Sequence, residues 1–269
     1  MKDTKEAPPP RSQRNSVEAA AYTIPTDLVD LPSRGKFYPK GHPLHKVDVV
    51  EVRYMTTKEE DVLLNQSFIE KGIVLDKLIE NILVNKNIDV STLLLGDKNA
   101  IIINARKNAY GEKYTFSYMC VNCYAENEHT TDLSKLDYRG SEDIQFTDNG
   151  TFFIDLPVSK ASLEVGLLTT KDEIEIGKKM QQKTKHGLAS EPTVERYRKI
   201  IKSINGEQDP LVIANFVSNM PIRDSRALTK MYIKHNPDVD FVYENSCTNC
   251  GNVNKGGVPL TGNFFWLDD

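Results

Sequence analysis

The chain has 269 residues, 39% of them hydrophobic and 27% charged, with a formal net charge of −4. That is enough apolar material for one large core or two small ones, and it offers no broad electrostatic attraction to nucleic acid. The longest apolar runs, Leu93-Leu94-Leu95 and Ile101-Ile102-Ile103, fall far short of the ~20 residues that cross a bilayer, so the sequence reads as a soluble globular protein, with no membrane span, whose partners are other proteins.

In chain order, residues 1–24 read as a disordered N-terminal arm: Ala7-Pro8-Pro9-Pro10 and the polar run after it have almost nothing to bury. A loop over 33–43 carries Gly35 and Gly41 for unusual backbone angles and Phe37 and Tyr38 for amphipathic contact area, which makes it a candidate docking loop, with a loop packed on its own domain as the alternative. Alternating apolar residues from Val50 then predict a half-buried strand, and Thr57 with Glu60 predicts a capping box that starts a helix. Val62, Leu63, Phe68 and Ile69 line one helix that Gly72 ends, and Leu75, Leu78, Ile79, Ile82 and Leu83 line a second. A third is expected over 98–109. Tyr114, Phe116 and Tyr118 alternate with Thr115, Ser117 and Met119 as a strand that runs into Cys120.

The second half repeats the pattern at greater length. Phe152, Phe153 and Ile154 suggest a strand, and Thr170 with Glu173 predicts a second capping box. A charged helix carrying Ile174, Ile176 and Met180 follows, then an amphipathic stripe of Val194, Tyr197, Ile200, Ile201 and Ile204. Asp209-Pro210 predicts a helix start, and a further helix over 225–235 is closed by Asn236-Pro237. Phe241-Val242-Tyr243 forms a short strand toward Cys247. The terminal Phe264-Phe265-Trp266 must cover other structure or enter a partner, and packing beside the cysteines is the expected outcome.

All four cysteines fall in two C-x2-C knuckles, Cys120-Val121-Asn122-Cys123 and Cys247-Thr248-Asn249-Cys250. A C-x2-C turn presents two sulfurs from one tight loop, so two turns complete a tetrahedral four-thiolate shell for structural zinc. An iron centre accepts the same ligands and stays open as the alternative. Redox disulfides within each pair fit less well, because each pair follows a strand rather than opening a helix, and no secretory signal opens the chain. Four thiolates also leave no open position for a catalytic water.

Aligning 50–61 with 163–174 gives six identities in twelve positions, the preceding Asp30-Leu31-Pro32 matches Asp155-Leu156-Pro157, and Asn127 and Asn254 follow the two knuckles at the same offset. Three features recurring in one order indicate duplication. The expected fold is α+β: two pseudo-repeats of strand plus helical segment, over 25–145 and 146–269, joined by a zinc-ribbon-like four-cysteine site that ties the halves together.

No constellation for catalysis is present. His42 and His45 read as solvated loop residues, His129 as an unneeded replacement for a thiolate, and His235 as a partner of a helix C-terminus. His186 belongs to no motif. Phosphate-loop, dinucleotide-binding and nucleophile-elbow patterns are absent, and Lys178, Lys179, Lys183 and Lys185 read as a solvated helix face. Neither an enzyme nor a small-molecule site is expected. Two other classes stay open: a zinc-ribbon nucleic-acid-binding protein, against which Glu126, Glu128 and Glu244 stand, and a thiol redox protein.

The string Leu31-Pro32-Ser33-Arg34-Gly35-Lys36-Phe37-Tyr38-Pro39, followed by Met55-Thr56-Thr57-Lys58-Glu59-Glu60, resembles the opening of the baseplate hub proteins of T4-like contractile-tailed bacteriophages. The two C-x2-C pairs and Phe264-Phe265-Trp266 resemble that family's zinc-ribbon-like features, so the likeness covers most of 30–269. What it implies is a structural or assembly protein of the phage tail, made in the host cytoplasm, acting in the virion at the baseplate and contacting other hub or wedge proteins. It implies no reaction.

Overall fold

The computed structural model describes residues 23–140, 145–258, 260 and 262–265. The arm expected over 1–24 therefore lies almost wholly outside the described residues, as does Trp266. Strands β1 (Thr26–Asp30) and β2 (Val49–Arg53) form an antiparallel hairpin that buries Val29, Val50 and Val52. Helices α1 (Thr57–Leu63), α2 (Gln66–Glu70) and α3 (Val74–Ile82) follow, and the chain then returns so that Leu83 bridges to Val52. Helix α4 (Leu95–Tyr110) leads into the hairpin of β3 (Lys113–Met119) and β4 (Glu126–Asp132), and then into β5 (Tyr138–Arg139).

The second half repeats this order except that its short strand β9 precedes the last hairpin, whereas β5 follows its counterpart. Strands β6 (Phe152–Asp155) and β7 (Ser162–Val165) form the hairpin, α5 (Thr170–Lys185) and α6 (Pro192–Ile200) follow, and β8 (Ile201–Ile204) returns beside β7 where Leu83 returns beside β2. Then come α7 (Pro210–Ser218), α8 (Ile222–His235), β9 (Asp238–Val239) and a second hairpin of β10 (Val242–Ser246) and β11 (Val253–Gly257). The fold is α+β, as expected.

One buried pair of contacts shows how far the repetition goes. Leu31 and Leu156, from the matched Asp-Leu-Pro strings, are both buried. The residue after each proline donates its backbone N–H to an aspartate at the third position of a helix: Ser33 to Asp97 Oδ1 of α4 at 2.9 Å, and Val158 to Asp224 Oδ1 of α8 at 2.7 Å. Both aspartates are fully buried. Burial raises the Asp97 carboxyl above its ordinary value, against the bonds from Ser33 and Tyr38. At Asp224 burial also pushes upward, but the N–H groups of Val158 and Ser159 outweigh it and the net direction is down.

Both capping boxes form one residue earlier than the sequence pattern placed them. Thr56 caps α1 with Glu59, and Thr169 caps α5 with Asp172. The first threonine of each pair is extended (φ −120° and −100°), as an N-cap must be, while the second is already helical. Thr170 instead donates its hydroxyl to the Leu93 carbonyl. Glu59 is buried and takes a two-pronged bond from Arg53, at 2.6 and 2.9 Å. Burial pushes its carboxyl up, but Arg53 and Thr56 together pull it down to about 2. A depressed carboxylate stabilises the fold above its unfolded value of 4.5 and loses that contribution as pH falls toward 2. The shift corresponds to about 3 kcal/mol. Between pH 6 and pH 3, which is still above the folded value, urea unfolding should therefore show about 2 kcal/mol of that contribution lost in the wild type, and a clearly smaller pH dependence in Glu59→Gln.

Three further expectations are corrected. The helix expected through Val62, Leu63, Phe68 and Ile69 is two helices, because the Asn65 side chain accepts from the Phe68 N–H and starts α2 afresh. The stripe ending in Ile201 and Ile204 is helical only to Ile200; these β-branched residues suit a strand equally well, and the exposed backbone of β7 takes them. The loop at 33–43 turns its aromatics inward: Phe37 and Tyr38 are buried, the Tyr38 hydroxyl donates to Asp97 at 2.8 Å, and Phe37 packs on Phe146.

The charged and histidine positions also settle differently. His42 is half-buried, bonded through Nε2 to Thr92 and through Nδ1 from the Leu44 N–H, while His45 Nδ1 lies 2.6 Å from the Tyr38 carbonyl. Neither is a solvated loop residue. Lys179 and Lys183 reach the buried Glu195, so part of the basic face of α5 is paired rather than merely solvated.

The halves share one hydrophobic core. Backbone bonds cross between them, from Leu95 N–H to the Leu168 carbonyl and from Thr170 N–H to the Leu93 carbonyl, and β5 pairs with β9. Gly96 is required at this join, since a Cβ there would lie 2.0 Å from the Pro237 carbonyl oxygen. The cysteine site is thus not the sole joint between the halves.

Candidate metal centre

Each knuckle closes a two-stranded hairpin and is folded by the same pair of backbone bonds. Cys120 N–H donates to the Ala125 carbonyl and Tyr124 N–H to the Cys120 carbonyl; Cys247 N–H donates to the Asn252 carbonyl and Gly251 N–H to the Cys247 carbonyl. These turns aim both sulfurs of a knuckle to one side. The hairpins meet through aromatic rings, with Tyr243 of β10 at 4.9 Å from Tyr118 and 5.2 Å from Phe116. His129 packs in the same cluster and is not among the grouped ligand atoms.

The four predicted ligands come together. Cys120, Cys123, Cys247 and Cys250 place their sulfurs within 4.8 Å of one another. Across the knuckles, Cys120 lies 3.8 Å from Cys250 and Cys123 lies 3.6 Å from Cys247. A zinc–sulfur bond of about 2.3 Å implies a tetrahedral edge of about 3.8 Å, so the spacing suits a single ion. It is far longer than the ~2.05 Å of a disulfide.

Four asparagines surround the sulfurs reciprocally. Asn127 Nδ2 donates to Cys247 and Asn254 Nδ2 to Cys120; Asn122 donates to Cys250 and Asn249 to Cys123. The side-chain oxygens of Asn254 and Asn127 then accept from Val121 N–H and Thr248 N–H. Each knuckle therefore stabilises the thiolates of the other. The Cys120 thiol is held down at about 6, chiefly by the Cys123 backbone N–H, with help from Asn122 and Asn254 against burial. Cys247 is lowered in the same way by the N–H of Cys250 and then of Asn249. At Cys250 the Asn252 N–H pulls down, but sharing with the Cys123 and Cys120 thiols carries the value up.

The offset of Asn127 and Asn254 was visible in the sequence; that each serves the opposite knuckle was not. Outer partners of this kind typically contribute 10–100-fold to metal affinity. Asn127→Ala and Asn254→Ala should each lower the affinity of the four-cysteine site for a metal ion by about that factor, and by similar amounts, when measured by competition with a chromophoric chelator.

The C-terminal aromatics pack at the root of the ribbon instead of beside the sulfurs. Phe264 stacks edge-on against Tyr114 at 4.7 Å, and Tyr114 lies six residues, or about 20 Å of strand, from Cys120. The buried Arg106 of α4 donates Nε to the Phe264 carbonyl at 2.8 Å and lies over the rings of Tyr110 and Tyr114. Among the described residues no helix is long and apolar enough to cross a membrane.

Residues 24–266 match the family model described as T4 bacteriophage base plate protein. No curated protein and no solved structure matches the chain. With the match spanning most of the chain and all four clustered cysteines, the chain belongs to the T4 bacteriophage base plate protein family.

Proposed function

We propose that this protein is a structural or assembly component of the baseplate hub of a contractile phage tail, with zinc held by Cys120, Cys123, Cys247 and Cys250. Family membership supports a place in the tail baseplate of the virion and contacts with other baseplate proteins. The observation that carries the metal assignment is the reciprocal set of asparagine bonds around four sulfurs at tetrahedral spacing. Zinc there supplies a rigid cross-link between the two hairpins and, with four thiolates, no open position for water. An iron–sulfur cluster spreads its thiolates over several irons, whereas this spacing suits one ion, so a mononuclear iron site is the remaining metal alternative.

The two halves, 25–145 and 146–269, are read as duplicated copies whose knuckles meet about a local two-fold axis. Their shared core fixes the body, and the metal fixes the ribbon that projects from it. Nucleic-acid binding is disfavoured by the exposed Glu126 and Glu128 on the ribbon. The reading is tested by purifying the chain with the other hub and wedge proteins of the same phage, combined with elemental analysis. Expected are zinc at about one ion per chain and stable association with at least one hub protein. Failure to associate with any of them would sink the hub assignment, and iron at that stoichiometry would change the metal.

A further inference from the structure

The two knuckles share backbone bonding and ligand geometry, so each serves as an internal control for what the other needs. At three matched positions they differ in one direction. Met119 stands where the second knuckle has Ser246, Val121 where it has Thr248, and Tyr124 where it has Gly251. All three apolar side chains face solvent: Met119 is 58%, Val121 75% and Tyr124 73% exposed. The second knuckle folds with serine, threonine and glycine at these places, so the turn itself does not require apolar residues.

Tyr124 is the sharpest case. Its φ is +57°, in the left-handed region, and its counterpart Gly251 has φ +72°. Glycine occupies that region without steric cost, whereas a residue with a Cβ is strained there. The first knuckle thus keeps a large exposed ring at a position where its own backbone favours glycine. The metal-held turn also makes these side chains rigid in position, which lowers the entropy lost on binding. Glu126, the cross-strand neighbour of Met119, and Glu128 beyond it have no ion-pair partner among the described residues. At the Glu126 position the exchange runs the other way, since the second knuckle has Val253 there. The second hairpin's acid, Glu244, is paired with Lys255, so the acidic charge without an ion-pair partner lies on the side that carries the apolar tip.

We propose that the first knuckle is a docking surface, with Tyr124 as its anchor and Met119 and Val121 beside it, for another baseplate protein presenting an apolar recess flanked by lysine or arginine. The choice of partner rests on the proposed baseplate function; the choice of surface rests on the comparison of the knuckles. A tyrosine anchor suits such a recess because its ring brings contact area and attracts a neighbouring guanidinium.

The test titrates the zinc-loaded 269-residue chain against each of the other baseplate proteins of the same phage, purified singly. Tyr124→Gly, and the pair Met119→Ser with Val121→Thr, rebuild the first knuckle in the image of the second. Both are expected to weaken binding to one partner at least tenfold with zinc content unchanged, and Tyr124→Gly is expected to melt at the same or a higher temperature. Glu126→Lys should weaken the same complex. If the wild type binds a partner and both rebuilt knuckles bind within twofold of it, this surface is wrong while the baseplate reading stands. If wild type binds no baseplate protein, both fall. Self-association in sedimentation that Tyr124→Gly abolishes would make the occupant a second copy and overturn the partner assigned here, and tighter binding by Glu126→Lys would overturn its basic character.

Discussion

On the proposed metal assignment, a strong chelator is expected to melt the ribbon while leaving the shared core folded. The hairpins of β3–β4 and β10–β11 are two-stranded and depend on ring contacts and the metal to stay together, because an isolated hairpin is at best marginally stable. Structural zinc sites contribute roughly 10–16 kcal/mol of apparent binding free energy in small zinc peptides, more than these contacts alone can replace. The body, by contrast, holds its halves through one continuous core and through backbone bonds at Leu93, Leu95, Leu168 and Thr170. Hydrogen exchange should therefore show rapid exchange at 113–132 and 242–257 after chelation, with α4 and β7 still protected. Cys120→Ser and Cys247→Ser should each release the metal and give the same pattern. If only one of them lost zinc, a site shared by both knuckles would be wrong. Acidification should act in the same direction, since protons compete with zinc for the thiolates.

Asp97→Ala should be among the most destabilising single substitutions in the body. Asp97 accepts from Ser33 N–H at 2.9 Å, from the Ser33 hydroxyl at 2.6 Å and from the Tyr38 hydroxyl at 2.8 Å, all of them buried. Removing the carboxylate leaves three donors without an acceptor and opens a cavity, at a cost of about 3–5 kcal/mol. Asp224→Ala leaves the N–H groups of Val158 and Ser159 unsatisfied and should cost about 2–4 kcal/mol. Asp97→Asn keeps one acceptor and two donors that rotating hydroxyls can meet, so it should lose distinctly less than alanine. Urea unfolding of the three variants checks this. Equal losses for asparagine and alanine at 97 would show that packing, not hydrogen bonding, is what the residue supplies.

These two aspartates mark the limit of what the sequence displays. The duplicated strand and capped helix stood out because short-range chemistry wrote them twice: alternating apolar residues, a threonine pair, an acid three residues on. The exact cap was displaced by one residue in both halves, because adjacent threonines carry the same signal and only the extended backbone chooses between them. The pairing of Ser33 with Asp97 spans 64 residues and that of Val158 with Asp224 spans 66, so no local period reveals either. Likewise Ile201 and Ile204 satisfy a helical stripe as well as a strand, and the free edge of β7 made the choice.

By itself the sequence singled out the four cysteines that the fold brings within 4.8 Å of one another, since two C-x2-C turns present paired sulfurs whatever the fold around them. It also determined the α+β character and the order of the repeated elements, which follow from local patterning. Only the tertiary structure decided that the halves share a core, that the docking loop at 33–43 turns inward on Asp97, and that the asparagines serve the opposite knuckle. The physical reason is the same in each case: these are contacts between residues tens to more than a hundred positions apart, selected by burial and by the demand that buried polar groups find partners, and neither constraint is expressed in neighbouring residues.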